Sequence, residues 1–228
     1  MRKVALITSL DNSELSDEAI KILSKKFEIV KVFRFNRFSP KIDNVKKEFG
    51  PSLDIDYLIN FLSPKYIPNW LIELPRISSI NIHPGSFEYP GVGSASLSIF
   101  DSKSTYGVCA HYIDERFDSG GIILERTFVQ PREITCDDLF NLALKECLLL
   151  LNDLVELLAV EEKPKIIKTW ARKAVTRKEF NEWMTISIND QIFEIEKKIA
   201  ALKHPRFDGP FIKIGNHRFK YDQNDVNQ

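Results

Sequence analysis

Short apolar runs alternate with helix-like stretches through the first eighty residues, and that rhythm leaves few folds open. Residues 4–9 (Val-Ala-Leu-Ile-Thr-Ser) predict a first strand, and 13–25 an amphipathic helix with Leu15, Ala19, Ile22 and Leu23 on one face. Residues 28–33 predict a second strand. Residues 56–62 predict a third, whose near-continuous apolar run suits burial on both faces. A short helix is expected at 69–74, after Pro68, and a further strand at 79–83. Strands separated by helices at this spacing build right-handed βαβ units, so the expected class is α/β with a mostly parallel sheet flanked by helices. Functional residues in such sheets lie beyond the carboxyl ends of the strands.

The pattern then changes. Residues 106–113 alternate, with Tyr106, Val108, Ala110 and Tyr112 on one side and Cys109, His111 and Ile113 on the other. A glycine-containing loop at 87–94 runs into a helix at 94–100, and 121–129 predict a strand after a turn at 118–120. Thr135 caps a long helix reaching about residue 159, with Asp137 and Asp138 in the first turn beside the free N–H groups. Its apolar stripe includes Leu139, Leu142, Ala143, Cys147, Leu150 and Leu154. Residues 161–176, charged and holding Pro164 and Trp170, read as a surface connector. Helices follow at 176–184 and 190–202, then a turn-rich link at 204–210 and a hairpin of 211–214 and 218–221 around Gly215-Asn216. Residues 222–228 are expected to fray. The organisation is a body of 1–160 and an appendage of 161–228 holding connector, helices and hairpin.

Two clusters carry candidate chemistry. Asn81 and His83 sit two apart on a strand and therefore share a face, and Pro84 and Gly85 end that strand just past them. Asp118 lies in a turn between two predicted strands, where aspartate often only shapes the backbone. An amide, an imidazole and a carboxylate together suit acyl-transfer chemistry. His111 reads as a structural strand residue and not as a fourth member.

Composition narrows the partners. Lys+Arg and Asp+Glu balance at 32 each, which leaves no electrostatic footprint for a nucleic acid. Three cysteines, without C-x-x-C spacing, fit reduced core thiols better than disulfides or a zinc site, and no metal is expected. The first apolar run is too short for a signal-peptide core, and no run approaches a membrane span, so a cytoplasmic protein is expected.

The run Gly107-Val108-Cys109-Ala110-His111-Tyr112-Ile113-Asp114, leading into Asp118-Ser119-Gly120-Gly121-Ile122-Ile123, resembles the Gly-Val-Thr-x-His…Asp-x-Gly-x-Ile-Ile pattern of the folate-dependent formyltransferases. It lies at the family's distance downstream of Asn81-Ile82-His83, and the likeness is close over roughly 78–130. The resemblance implies a Rossmann-like formyltransferase fold and transfer of a formyl group from N10-formyltetrahydrofolate to a primary amine. It implies that Asn81 and a protonated His83 donate to the tetrahedral oxyanion, while Asp118 orients the imidazole and relays the proton. The implied folate site uses mostly main-chain groups of 63–67 and 114–117, which makes Ser63, Lys65, Tyr66, Ile67, Asp114 and Glu115 the candidate cofactor-binding residues. Ser9, Tyr89, Gly91 and Gly93 are the candidate acceptor-binding residues. The stretch His83-Pro84-Gly85-x-x-Glu88-Tyr89-Pro90-Gly91 departs from the Ser-Leu-Leu-Pro-x-Tyr-x-Gly of many relatives and looks like short formyltransferases of surface-sugar synthesis.

Three acceptor classes compete within that resemblance. Thr8-Ser9-Leu10-Asp11-Asn12 lacks the Gly-Ser-Gly-like phosphate loop of the enzymes acting on glycinamide ribonucleotide. The chain after the long helix is too short for the basic barrel of methionyl-tRNA formyltransferases. The tail at 199–211 resembles the element that follows the catalytic domain in sugar formyltransferases, implying an amino-dideoxy-hexose linked to a nucleoside diphosphate as acceptor. It also implies a homodimer, with Phe207, Phe211 and Phe219 suited to an interface, although a folded-back tail would bury them too. A non-catalytic homologue that only binds nucleotide sugar or folate is the other reading, and the intact Asn81, His83 and Asp118 argue against it.

Overall fold

The computed structural model describes residues 1–50, 53–204 and 209–222. The main sheet has the order β2 (Phe27–Phe35), β1 (Arg2–Ser9), β3 (Tyr57–Phe61), β4 (Ser78–His83), β5 (Thr105–Tyr112), β6 (Ile122–Val129). The first four strands run parallel, and the β4–β5 and β5–β6 pairings are antiparallel. This is the α/β, mostly parallel sheet the rhythm predicts. Alternation along β1 divides the core: Val4 and Leu6 join one cluster, and Ala5 and Ile7 the other.

The first cluster is covered by α1 (Ser13–Leu23) and the 25-residue α4 (Cys136–Val160). Thr135 accepts a hydrogen bond from the Asp138 N–H at 3.1 Å, capping α4 as expected. Leu139, Ala143, Cys147, Leu150, Leu151, Leu154 and Leu158 are all fully buried along it; burial stabilises by about 2 kcal/mol for each leucine. Leu142, placed in the stripe by its spacing, is only half-buried. The second cluster lies under a 3₁₀ segment, Ile42–Phe49, and α2 (Asn69–Ile72). That 3₁₀ segment has no clear sequence signature. It is held by Ile42 and by Phe49, which stacks on Phe33 at 3.8 Å between ring centroids.

Helix α3 (Ser94–Phe100) follows β4, and α5 (Arg177–Trp183) and α6 (Ile192–Leu202) follow α4. The expected hairpin, β8 (Phe211–Ile214) and β9 (His217–Lys220), forms a three-stranded sheet with β7 (Thr185–Ile186). Phe211 takes the second of its two expected places, under a tail folded back on the body. It is 4 % exposed and belongs to the first core cluster, with Phe180, Met184 and Leu202, whereas Phe219 is exposed. Phe207, most of the turn-rich link and the end of the tail lie outside the described residues.

The charged stretch after α4 keeps most side chains in solvent, as a connector would, yet its main chain is tied to the body. Ile167 N–H donates to Ile122 O at 2.8 Å, and Ile122 N–H to Lys168 O at 3.0 Å. Ala171 N–H donates to Phe87 O at 3.1 Å, and Val175 N–H to Pro90 O at 3.0 Å. Val92 N–H donates back to Val175 O at 2.8 Å. Residues 164–176 thus form a strap over the loop that follows β4. Main-chain pairing of this kind leaves no side-chain periodicity to read.

Candidate active site

Asn81 and His83 point to the same side of β4, and Pro84 and Gly85 carry the chain off the sheet. Register then supplies neighbours that the sequence alone does not: Asn81 pairs with Asn60 on β3 and with His111 on β5. Asn60 Nδ2 donates to Asn81 Oδ1 at 2.7 Å, and Asn81 Nδ2 lies 2.9 Å from His111 Nε2 and 3.4 Å from Asp118 Oδ1. Asp118 Oδ2 is 3.2 Å from His83 Nδ1 and accepts the Gly91 N–H at 2.8 Å. Asp118 Oδ1 is also 3.3 Å from His111 Nε2. The three side chains singled out from the sequence therefore meet, with His111 in direct contact and not a remote strand residue.

The backbone at Asp118 has φ 40°, a left-handed conformation that aspartate tolerates better than most residues. The bend turns its carboxylate back toward His83 and the Gly91 amide, and those contacts hold the strained turn in place. Burial raises the Asp118 pKa. The opposing pull of His83, of His111 and of the Gly91 N–H is greater in sum, and the carboxyl stays well below its usual range. Burial first, and His111 second, hold the His83 ring below the ordinary histidine value against the pull of Asp118. Its Nε2 faces the Tyr89 carbonyl at 3.2 Å and Ser94 Oγ at 3.3 Å.

The strap closes one side of this cluster. Trp170 presents its ring edge-on to His83, with centroids 5.4 Å apart, and to His111, 5.0 Å apart, and its Nε1–H donates to Gly120 O at 2.9 Å. A lone tryptophan in a charged stretch was the available signal for it. For Asn60 the signal was an amide inside the apolar run Tyr57-Leu58-Ile59-Asn60-Phe61, since buried polar groups are kept where they have partners.

Two cavities meet at Asp118. The first, of 570 Å³, is walled by Asn60, Asn81, His83 and His111 and reaches past Leu62 to Ser63, Lys65, Tyr66, Ile67 and Asp114. The second, of 520 Å³, lies under the strap against Glu115, Arg116, Phe117, Trp170, Arg172 and Lys173. Tyr66 and Phe117 stand between them as an edge-to-face pair 5.4 Å apart, and the Tyr66 hydroxyl donates to the Glu115 carbonyl at 3.1 Å. Five of the six candidate folate residues thus line the first cavity and Glu115 the second. Of the acceptor candidates, Gly91 lines the first cavity, while Ser9, Tyr89 and Gly93 are absent from both walls. Ser9 is buried and accepts the Asn12 N–H at 3.3 Å. Tyr89 is buried with its hydroxyl on Asp101, and Gly93 begins α3 against the Phe180 ring. Among the described residues no group of His, Cys, Asp and Glu is arranged to hold a metal ion, and no helix is long and apolar enough to cross a membrane.

With this geometry in view, a family model described as formyl transferase matches residues 4–143. A GDP-perosamine N-formyltransferase of Brucella melitensis is 29 % identical over 109 residues, 47 % of this chain and 42 % of that protein. A methionyl-tRNA formyltransferase of Mycoplasmopsis pulmonis is 28 % identical over 185 residues, 72 % of this chain and 62 % of that protein. The chain therefore spans less than two thirds of either curated relative. The N-formyltransferase of Helicobacter canadensis, solved with folinic acid and dTDP-3-aminofucose, shares the fold at a TM-score of 0.69 and 17 % identity, over 95 % of this chain and 85 % of that one.

Proposed function

The chain belongs to the formyl transferase family, and from that premise we propose that it moves the formyl group of N10-formyltetrahydrofolate onto the amine of a nucleoside-diphosphate-linked amino-dideoxy-hexose. The observation that carries the proposal is the meeting of two cavities at Asp118, with Asn81 and His83 beside it on the wall of the first. One arm takes the folate with its formyl carbon toward the cluster, and the other delivers the amine.

The chemistry follows from the side chains. The neutral amine attacks the formyl carbon, a C–N bond forms, and the carbonyl oxygen becomes an oxyanion. An Asn81 N–H donates to it; one such donor is worth roughly 3 kcal/mol in a buried site. Negative charge growing beside His83 raises the basicity of its ring. The His83–Asp118 pair then holds the proton lost by the amine. Breaking the bond to N10 returns that proton to the departing nitrogen, leaving tetrahydrofolate and a formamide.

The sugar-nucleotide acceptor is supported by the second arm. Arg116, Arg172 and Lys173 line it, cations suited to a diphosphate, and balanced overall charge argues against a long polyanion. The folate and amino-sugar nucleotide bound by the Helicobacter canadensis enzyme, and the GDP-perosamine relative, point the same way. A formylated sugar of this kind is a precursor for surface polysaccharide, such as lipopolysaccharide O-antigen. Three buried, unpaired thiols fit a reducing cytoplasm. The appendage of 161–228 exposes Ile188, Ile192, Phe193, Ile214 and Phe219, apolar surface that a homodimer would cover. Methionyl-tRNA is the second reading, favoured by the longer stretch over which that relative matches.

The test is incubation with N10-formyltetrahydrofolate and a panel of GDP-, dTDP- and UDP-linked amino sugars, glycinamide ribonucleotide and charged initiator tRNA. Release of tetrahydrofolate, with the acceptor gaining the mass of one carbon monoxide, identifies the substrate. Turnover with tRNA or the ribonucleotide alone replaces the acceptor and keeps the reaction. Ligand binding without turnover on any of them would make the chain a binding homologue.

A further inference from the structure

Asn60 is the one amide side chain in β3 and is 7 % exposed. Its Nδ2 donates to Asn81, and its Oδ1 has no hydrogen-bond partner. An unsatisfied buried amide oxygen is costly, and a leucine would fill the same space without one. On the other flank His111 is 2 % exposed, with Nδ1 2.7 Å from the Tyr112 carbonyl. A carbonyl only accepts, so Nδ1 carries the hydrogen, and a neutral ring then has a bare Nε2. That nitrogen faces Asn81 at 2.9 Å and accepts from its amide.

The result is a one-directional chain: Asn60 N–H to Asn81 Oδ1, Asn81 N–H to His111 Nε2, His111 N–H to the Tyr112 carbonyl. The reverse chain, with both amides turned, needs two protons on His111. The Asp118 contact at 3.3 Å from Nε2 taken alone would favour that second proton. Against it, turning Asn81 would set its oxygen 3.4 Å from Asp118 Oδ1, where the N–H₂ end now lies, and two oxygens would face each other. We infer that Asn60 and His111 are positioning residues that fix which end of the Asn81 amide meets the formyl group, a role that rests on the proposed formyl transfer. One Asn81 N–H is anchored on His111. The other, on a long contact to Asp118, is the one that turns to the developing oxyanion. With the amide reversed, its oxygen would repel that charge.

Two measurements test this. The first needs no substrate: ¹⁵N spectra of the His111 ring show Nδ1 protonated and Nε2 bare. An Nε2–H tautomer or a doubly protonated ring overturns the polarity. The second is Asn60→Leu, which removes the donor but not the bulk. It lowers kcat on the order of 10- to 100-fold, as misplacing a reacting-site group does, with KM for both substrates within about twofold and the melting temperature retained. Unchanged kcat in the folded variant overturns the role. Should Asn60→Leu fail to fold, the ring spectra of the wild type still decide. Should the wild type transfer formyl to no acceptor, the proposed reaction fails, while the spectra report separately on the amide.

Discussion

Gly91→Ala perturbs the point where the strap and the catalytic carboxylate are tied together. Gly91 has φ +88°, and an added Cβ would lie 2.3 Å from Val175 O and 2.5 Å from Val175 N, so the strap has to lift. The left-handed backbone costs alanine about 1–2 kcal/mol. The Val92 to Val175 and Val175 to Pro90 hydrogen bonds go with the strap, at roughly 1 kcal/mol net each. The sum is about 3–4 kcal/mol. In a domain of this size each kcal/mol moves Tm by about 2–4 °C, so calorimetry should show a fall on the order of 10 °C. The same change shifts the Gly91 N–H off Asp118, a charge-assisted bond worth about 1.5–3 kcal/mol, or roughly 1–2 pKa units. Because folding lowers the Asp118 pKa, its stabilisation is present above the unfolded carboxylate value near ~4 and is lost as pH falls through the lower folded value. In Gly91→Ala the folded value lies closer to the unfolded one, so that loss is smaller and is complete at a higher pH, and the acid limb of the stability curve is shallower. A Tm within about 2 °C of wild type, with the acid limb unmoved, would refute both the seating of the strap and the tie to Asp118.

Asp118→Asn should keep the shape of the turn and lower the rate of tetrahydrofolate release on the order of 10²- to 10³-fold, as loss of a buried charge-stabilising group does; a loss under tenfold removes the carboxylate from the chemistry. Trp170→Ala removes the cover over His83 and His111 and the hydrogen bond to Gly120. It should cost about 3 kcal/mol of stability by denaturant titration, and a neutral result would mean that the ring is not packed there. Cys109, Cys136 and Cys147 are all buried, so a thiol reagent should label the native protein only as fast as it opens, and prompt labelling contradicts their burial.

Much of the scaffold was legible because it is written in side-chain periodicity. The apolar runs placed β1, β3 and β4 to within a residue or two, the strand at 79–83 put Asn81 and His83 on one face, and the loop 87–94 led into a helix at 94–100. What stayed hidden lies in pairing between distant segments. Nothing near Asn60 says that Asn81 is its lateral neighbour, since that follows from the register of β3 on β4. His111 looked structural because its contact with Asp118 depends on a left-handed turn seven residues later. The reading of 161–176 as connector saw its charged side chains, while much of what holds it down is main chain, with the Trp170 and Arg172 side chains adding bonds to Gly120 O and Glu88 O.

That strap has a consequence for how such a chain can change over generations. Backbone amides and carbonyls hold it, and they are the same whatever residue carries them. Thr169 and Lys173, which line the second cavity, are therefore free to be replaced without unseating the segment, while the reacting groups sit on strands and turns elsewhere. A new acceptor can be tried by rewriting a few letters of the strap, leaving the reaction itself untouched.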